Sequence, residues 1–327
     1  MCTALKFTAS SHYFGRNLDI DVSYSEEVCV MPRHFPLIFR KMGEMTKHYA
    51  MIGMATVVEG VPLFYDGVNE CGLAMAGLAF PENAYYSPLE NGKDNIAPFE
   101  LIPWILGQAK TVTEAKNLLS KINLANISFS EKLPNTPLHW MIADCDSSAV
   151  VEFTNGGMYI YDNSLGVLTN NPPFPYHLEN LENYSYLRNE DKKEDYIKNS
   201  EYSDYSKGLG ALGLPGDSSS KSRFVRMAFL SENSTKPSCE RLSVGQFFHL
   251  LSSVESIKGA LKTEKGEFDI TVYSACMNID KGLYYYTTYT NRRITCVDMH
   301  TTDLQSDKIS RFPLILEESI KMQKVSQ

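Results

Sequence analysis

The sequence has no excess of basic residues, no long apolar run and no paired cysteines, and each absence removes a class of function. Lysine and arginine number 31 against 39 aspartates and glutamates, a net charge of −8. A phosphate backbone calls for clustered cations, so nucleic acid is excluded as a partner. No stretch approaches the roughly 18 apolar residues that a membrane helix requires. The start, MCTALKFTASSHYFGRN, lacks the basic and apolar regions of a secretory signal. Together these predict a cytoplasmic protein with no membrane partner. The seven cysteines, at 2, 29, 71, 145, 239, 276 and 296, form no CxxC pair, so a structural zinc site or a thioredoxin-like motif is unsupported. His12, His34, His48, His177, His249 and His300 are scattered without ligand spacing. Neither a metal nor a cofactor is expected.

What is present is ordinary for a globular chain: 43% hydrophobic and 21% charged over 327 residues, enough to bury a substantial core. Cys2–Thr8 and a strand through Tyr13 and Phe14 read as a hairpin around Ser10–Ser11. A longer hairpin is expected in VPLFYDGVNECGLAMAGLAF, with turn signals at Asp66–Gly67 and Asn69–Gly72. Apolar spacing predicts a helix over Pro98–Ala109. A second helix follows from Thr111, capped by the Thr111/Glu114 pair and carrying Ala115, Leu118, Leu119 and Ile122. Strands are expected over His139–Phe153 (with a turn at Asp144–Ser148), Gly157–Tyr161 and Gly166–Thr169. A polar surface excursion covers 188–220, helices cover Ser222–Ser231 and Ser243–Ser256, and strands cover Asp269–Met277, Gly282–Tyr289 and Arg292–Met299. There is no solenoid or propeller repeat. Runs of strands interleaved with paired helices fit antiparallel sheets covered by helices, an α+β architecture, better than a parallel sheet.

Cys2 differs from the other cysteines only in position. Removal of Met1 would leave one residue carrying both a thiol and a free α-amine. An α-amine titrates at about 7.7–8.0 in model peptides, near the useful range for a general base at neutral pH. One residue then supplies nucleophile and base. Taken alone, Cys2 fits a buried strand cysteine better, as do Cys29, Cys71, Cys145, Cys276 and Cys296. Arg16, Asp19, Asn170 and Arg223 by themselves read as turn, cap or solvated surface residues. His139, between Leu138 and Trp140, reads as a structural strand histidine with no catalytic role.

The fragments MCTAL…YFGRNLD, NECGLAMAGLAFP, PFELIPWILGQ, PLHWMIAD, GVLTNNPPF, GLPGDSSSKSRFVR and YYYTTY, in that order, resemble the choloylglycine hydrolase family, which contains bile salt hydrolases and penicillin V acylases. The resemblance implies a four-layer αββα N-terminal-nucleophile hydrolase sandwich with two antiparallel sheets, formed as one domain over 2–327 after loss of Met1. It also implies amide hydrolysis of glycine- or taurine-conjugated bile salts, a small-molecule substrate, a bacterial setting and a homotetramer. Residue by residue, Cys2 matches the nucleophile, Arg16 a guanidinium that favours the thiolate, and Asp19 a carboxylate that holds the new amine. Asn170 matches a donor to the oxyanion of the tetrahedral intermediate, and Arg223 a second arginine lining the site.

Bile salt hydrolases carry Asn in GLNFP, and penicillin acylases tend to carry Tyr there; this chain has Ala79 in GLAFP. Alanine offers no side-chain amide, so only a backbone N–H can serve as oxyanion donor at that position. Leu18, Ile20, Tyr24, Val58, Phe129, Leu133 and Leu138 match loops lining the apolar acyl pocket. Read without the family they are core residues, and Phe129 with Leu133 fits a helix stripe. Two rivals follow: a penicillin V acylase with the same chemistry, and a catalytically weakened bile-acid-binding homologue, suggested by Ala79.

Overall fold

In a computed structural model, residues 1–191, 206–264 and 266–324 are described. The chain opens with β1 (Cys2–Thr8) and β2 (His12–Ile20), then β3 (Glu27–Met31) and a small ribbon of β4 (Leu37–Phe39) and β5 (Gly43–Met45). Strands β6 (Met51–Val58), β7 (Val61–Phe64), β8 (Asp66–Asn69) and β9 (Ala74–Ala79) follow. β10 (Asp94–Ile96) pairs in parallel with β11 (Ile122–Leu124), enclosing α1 (Leu101–Gln108) and α2 (Val112–Leu119) in sequence. Next come β12 (Leu138–Ala143), β13 (Ser148–Thr154), β14 (Gly157–Asp162) and β15 (Val167–Leu168), then α3 (Phe174–Glu182), α4 (Ser220–Asn233) and α5 (Glu240–Ser252). β16 (Ile270–Asn278), β17 (Leu283–Thr288), β18 (Asn291–Asp298) and β19 (Ser310–Pro313) complete the chain.

Two antiparallel sheets dominate, as expected. One has the order β15-β1-β2-β16-β17-β18; the other runs β14-β13-β12-β9-β8-β6-β3-β19, with β7 paired to β6. Strand alternation separates their faces. On β3, Val28 and Val30 join the core between the sheets, whereas Cys29 and Met31 pack with Leu101, Ile105, Ala115 and Leu119 of α1 and α2. On β1, Phe7 meets Phe247 of α5 edge-on at 6.4 Å. On β2, Asn17 donates from Nδ2 to the Leu251 carbonyl of α5. Helices therefore cover both outer faces, giving the order α, β, β, α.

Several local expectations fail for long-range reasons. Asp66 and Gly67 lie inside β8, not in a turn, because both pair with β9. Thr111 does cap α2, accepting from the Glu114 N–H at 3.2 Å, but Ile122 belongs to β11. α5 starts at Glu240 rather than Ser243, whose hydroxyl donates back to the Cys239 carbonyl within the first turn. Phe129 and Leu133 are not helical; they sit in a loop closed by a bridge between Ser130 and Leu133. Of the cysteines expected to be buried, Cys71, Cys145 and Cys296 are exposed. The surface excursion over 188–220 falls partly on 192–205, outside the described residues; the rest contains one 3-10 turn, Leu209–Ala211.

Gly15 marks the tightest approach near the site. A Cβ there would lie 1.9 Å from the Ala275 carbonyl oxygen on β16, backbone that cannot yield without disturbing the β2–β16 ladder. Gly15→Ala is expected to destabilise the fold by about 1–3 kcal/mol or more, read as a lowered urea midpoint. An unchanged midpoint would contradict this packing.

Candidate active site

The site forms where β1 and β2 face β9. Cys2 and Leu18 are directly opposed on the sheet, as are Ala4 and Arg16. Opposed residues share a face, so Cys2, Arg16, Leu18 and Ile20 all project from one side. Arg16 is fully buried. Its Nη2 donates to Cys2 Sγ at 2.6 Å, and its Nη1 donates to the Gly77 carbonyl on β9 and, at 3.4 Å, to the Tyr65 carbonyl. Burial pulls the Arg16 pKa down, but the Cys2 sulfur, Tyr273, Asp66 and Asp19 outweigh that and hold it above its ordinary value. This guanidinium stays charged, and a cation against sulfur favours thiolate over thiol.

Arg223 approaches from the opposite face, on the first turn of α4. It is buried and donates to the Cys2 carbonyl, to Thr3 Oγ1 at 2.6 Å and to Asn170 Oδ1 at 2.7 Å. Burial lowers its pKa, opposed by Asp19 and Cys2. Asn170 Oδ1 also accepts from the Cys2 backbone N–H at 2.7 Å, while Nδ2 donates to the Ala79 carbonyl at 2.8 Å. Arg223 can only donate, so it fixes which end of the Asn170 amide is oxygen. The second N–H of Nδ2 has no acceptor among the described residues.

Ala79 supplies a further donor by register. It opposes Leu138 on β12, and the next N–H, that of Phe80, donates to the Pro137 carbonyl at 2.8 Å. Ala79–Leu138 is therefore a non-hydrogen-bonded pair, and the Ala79 N–H points away from β12. It points to the side from which Asn170 reaches the Ala79 carbonyl. Cys2 thus has a guanidinium on its sulfur and a side-chain amide on its nitrogen, and that amide also reaches the carbonyl of the residue whose N–H is left outward.

Asp19 is fully buried, with Oδ1 accepting from Thr271 Oγ1 at 2.6 Å and Oδ2 without a partner among the described residues. Burial raises its pKa, against the pull of Arg223, the chain-terminal ammonium, Thr271 and Arg16. Met1 pairs with the Asp19 backbone in both directions, and its ammonium lies 3.6 Å from Asp269 Oδ2. Asp19, Arg16 and Arg223 are thus buried groups around Cys2, not the turn or surface charges that their local sequence suggests.

The acyl-pocket candidates divide. Leu18 and Ile20 share the face of Cys2, and Leu138 opposes Ala79. Tyr24 is exposed, and its carbonyl accepts from Thr56 Oγ1 on β6, the strand that ends at Val58. Phe129 packs edge-on against Phe99 at 5.3 Å, with Arg40 over its ring. It and Leu133 lie on a loop whose described contacts run to Arg40 and Phe99, not to Cys2. An apolar cleft of about 400 Å³ between α3 and α4, lined by Leu178, Leu181, Val225 and Phe229, contains none of these residues. Buried Asp144 with exposed Cys145 and Asp146 is the sole metal-compatible cluster among the described residues. Asp144 is occupied there in accepting turn and helix-start N–H groups.

Two sheets between helices, with a strand-borne cysteine beside the chain start and donors converging on it, define an N-terminal-nucleophile hydrolase. The chain belongs to the choloylglycine hydrolase family of linear amide C–N hydrolases, whose family model matches residues 2–312. It is 48% identical over 314 residues to a bile salt hydrolase/transferase of Lactiplantibacillus plantarum, covering 96% of this chain and 97% of the relative. A bile salt hydrolase/transferase of Clostridium perfringens is 38% identical over 317 residues, covering 95% and 96%. Among solved structures, the mutant C2A conjugated bile acid hydrolase from Clostridium perfringens superposes with a TM-score of 0.93 at 37% identity, over 99% of this chain and 100% of that one. A penicillin V acylase from Agrobacterium tumefaciens shares the fold, with a TM-score of 0.76 at 20% identity over 95% and 91%.

The partnerless Asp19 oxygen gives a test of sign. A carboxyl whose folded pKa is raised contributes most stability below its unfolded value and loses it as pH rises through the folded value. In protein retaining Met1, Asp19→Asn, which mimics the protonated acid, is expected to match the parent below the ordinary 3.8 and to gain on it as pH rises. The gain should be about 1–3 kcal/mol, the cost of a buried unsatisfied group. Urea midpoints across pH read it; a parent more stable than the variant at neutral pH would overturn it.

Proposed function

We propose that this protein hydrolyses the amide joining a bile acid to glycine or taurine, with Cys2 as nucleophile after loss of Met1. The observation that carries the reading is the placement of Cys2, with Sγ on buried Arg16 and its backbone nitrogen on Asn170. The names of the Lactiplantibacillus and Clostridium relatives supply the substrate class.

Cys2 sulfur attacks the amide carbonyl, and the thiol proton passes to its own α-amine. The carbonyl oxygen becomes an oxyanion, which the free N–H of Asn170 Nδ2 and the Ala79 N–H stabilise. A single such donor contributes about 2.7–4 kcal/mol. Collapse breaks the C–N bond, the α-ammonium returns the proton to the leaving nitrogen, and glycine or taurine departs. The acyl group stays as a thioester. Water, deprotonated by the amine, then attacks the thioester, the C–S bond breaks, the Cys2 thiolate recovers the proton from its own ammonium, and the free bile acid departs. Asp19 Oδ2, without a partner while Met1 remains, suits the ammonium that this cycle requires. A single domain over residues 2–327, a homotetramer and a cytoplasmic bacterial location belong to the same reading and rest on the family resemblance.

Penicillin V acylase is the second reading within this chemistry, favoured only by the shared fold. Ala79 favours the third, a weakened homologue, because its methyl group cannot donate a hydrogen bond. Glycocholate, taurocholate and penicillin V assayed side by side, on protein whose intact mass shows Met1 gone, are expected to give turnover of the conjugated bile salts. Cys2→Ala should cost at least about 1,000-fold in kcat. Full glycocholate hydrolysis by Cys2→Ala would sink the proposal. Ala79→Asn should raise kcat/KM for the bile salt about fivefold, the worth of one added hydrogen bond of about 1 kcal/mol. No change would mean that the backbone donor suffices.

A further inference from the structure

We propose that His139, Glu152 and His177 form a buried clamp that positions Asn170, so that they act on the reaction without touching the substrate. The inference rests on the reading of Asn170 as an oxyanion donor. Thr169 and Asn170 follow the two-residue strand β15 and lie beyond its ladder, so their buried backbone groups need partners elsewhere. Side chains supply them. His139 Nε2 lies 2.8 Å from the Thr169 carbonyl, and His177 Nε2 lies 2.9 Å from the Asn170 carbonyl. The Asn170 N–H donates to Ser220 Oγ at 2.9 Å.

Glu152 joins the two histidines mechanically. Its Oε1 sits 3.2 Å from His139 Nδ1 and accepts from the Phe174 N–H at 2.9 Å, on the first residue of α3, the helix that carries His177. Both nitrogens of His139 face oxygens, and since a carbonyl oxygen can only accept, the contact to Thr169 is a donation from Nε2. Burial pushes the His177 pKa down to about 4, leaving a neutral ring that donates from Nε2. Aromatic stacking sets both planes: His139 on Phe80 at 4.3 Å and His177 on Phe224 at 4.8 Å. Consecutive carbonyls are thus held by rigid, fully buried rings, and the second belongs to the residue whose side chain meets the Cys2 nitrogen. Displacing a catalytic group by about 1 Å can cost about 100-fold.

The test compares His139→Phe, His177→Phe and His177→Gln in processed enzyme. Glycocholate kinetics are measured alongside the rate at which iodoacetamide labels Cys2, followed on the N-terminal peptide. Both Phe variants are expected to lose about 10–100-fold in kcat, with KM within about threefold. Cys2 alkylation should stay within about twofold of wild type, because Arg16 holds the sulfur independently. Gln keeps a donor at similar reach, so His177→Gln should retain most of kcat. The proposal is overturned if either folded Phe variant keeps wild-type kcat, if alkylation falls in step with turnover, or if Gln is as damaging as Phe at 177. Should His139→Phe fail to fold, the position 177 pair decides. Failure of the underlying functional reading shows separately, as activity in Cys2→Ala.

Discussion

One fully buried guanidinium ties the two sheets together at the point where Cys2 sits. Arg16 leaves β2 of one sheet, contacts Cys2 Sγ and ends on the Gly77 carbonyl of β9 in the other. A buried charge is costly unless neighbouring groups compensate it. Here the compensation is the sulfur together with Asp66, a buried carboxylate that accepts from the Tyr273 and Tyr284 hydroxyls. Burial raises the Asp66 pKa, while Arg16 and the two tyrosines oppose the rise. The position of the thiol is thereby coupled to the packing of the sheets.

Each polar atom of Cys2 is addressed by a different part of the chain. Arg16 from the inter-sheet face takes the sulfur, Asn170 takes the nitrogen, and Arg223 from the helix face takes the carbonyl. Asn170 connects these contacts to β9 through the Ala79 carbonyl. A side chain held by elements on both faces of its strand loses little further freedom on reaching the transition state, which is how orientation lowers a barrier. It also explains how alanine at position 79 is compatible with the arrangement. The Ala79 carbonyl engages Asn170, and its N–H direction follows from the ladder, whatever side chain position 79 carries.

Much of the fold was legible because strand alternation and helical spacing are local signals. The β1–β2 hairpin, α1, the start of α2 and the closing β16–β18 meander all fall where patterning predicts them. What patterning missed depends on distant partners. Asp66–Gly67 carries turn chemistry, yet β9 pulls it into the sheet, and Asp66 finds tyrosines more than 200 positions away. Arg16, Asp19 and Arg223 look like surface charges in their own sequence and become buried because the fold packs them around Cys2 from different elements. Only the motif resemblance singled them out. Cys71 and Cys145 show the converse: expected to be buried, they occupy turns between paired strands, beside Glu70 and Gly72 and between Asp144 and Asp146, and are exposed. The partners of His139 on Thr169 and Glu152 are invisible without the register of β12 against β13.

The same contacts bear on why Met1 can be lost without rebuilding the site. The hydrogen bonds of Met1 run to the backbone of Asp19, and its ammonium is paired with Asp269. None of the bonds that orient Cys2, from Arg16, Asn170 or Arg223, passes through it. Removing Met1 gives up two ladder bonds at a strand end, where the surrounding ladder from Cys2 onward remains paired with β2. In return the chain would gain an ammonium on Cys2, and Asp19 Oδ2 has no partner among the described residues. An unsatisfied buried carboxylate oxygen is unfavourable, and the new Cys2 ammonium would replace the charged Met1 donor that is given up with its Asp269 ion pair. Loss of Met1 would therefore change the chemistry of one residue within a scaffold already set by the two arginines and Asn170.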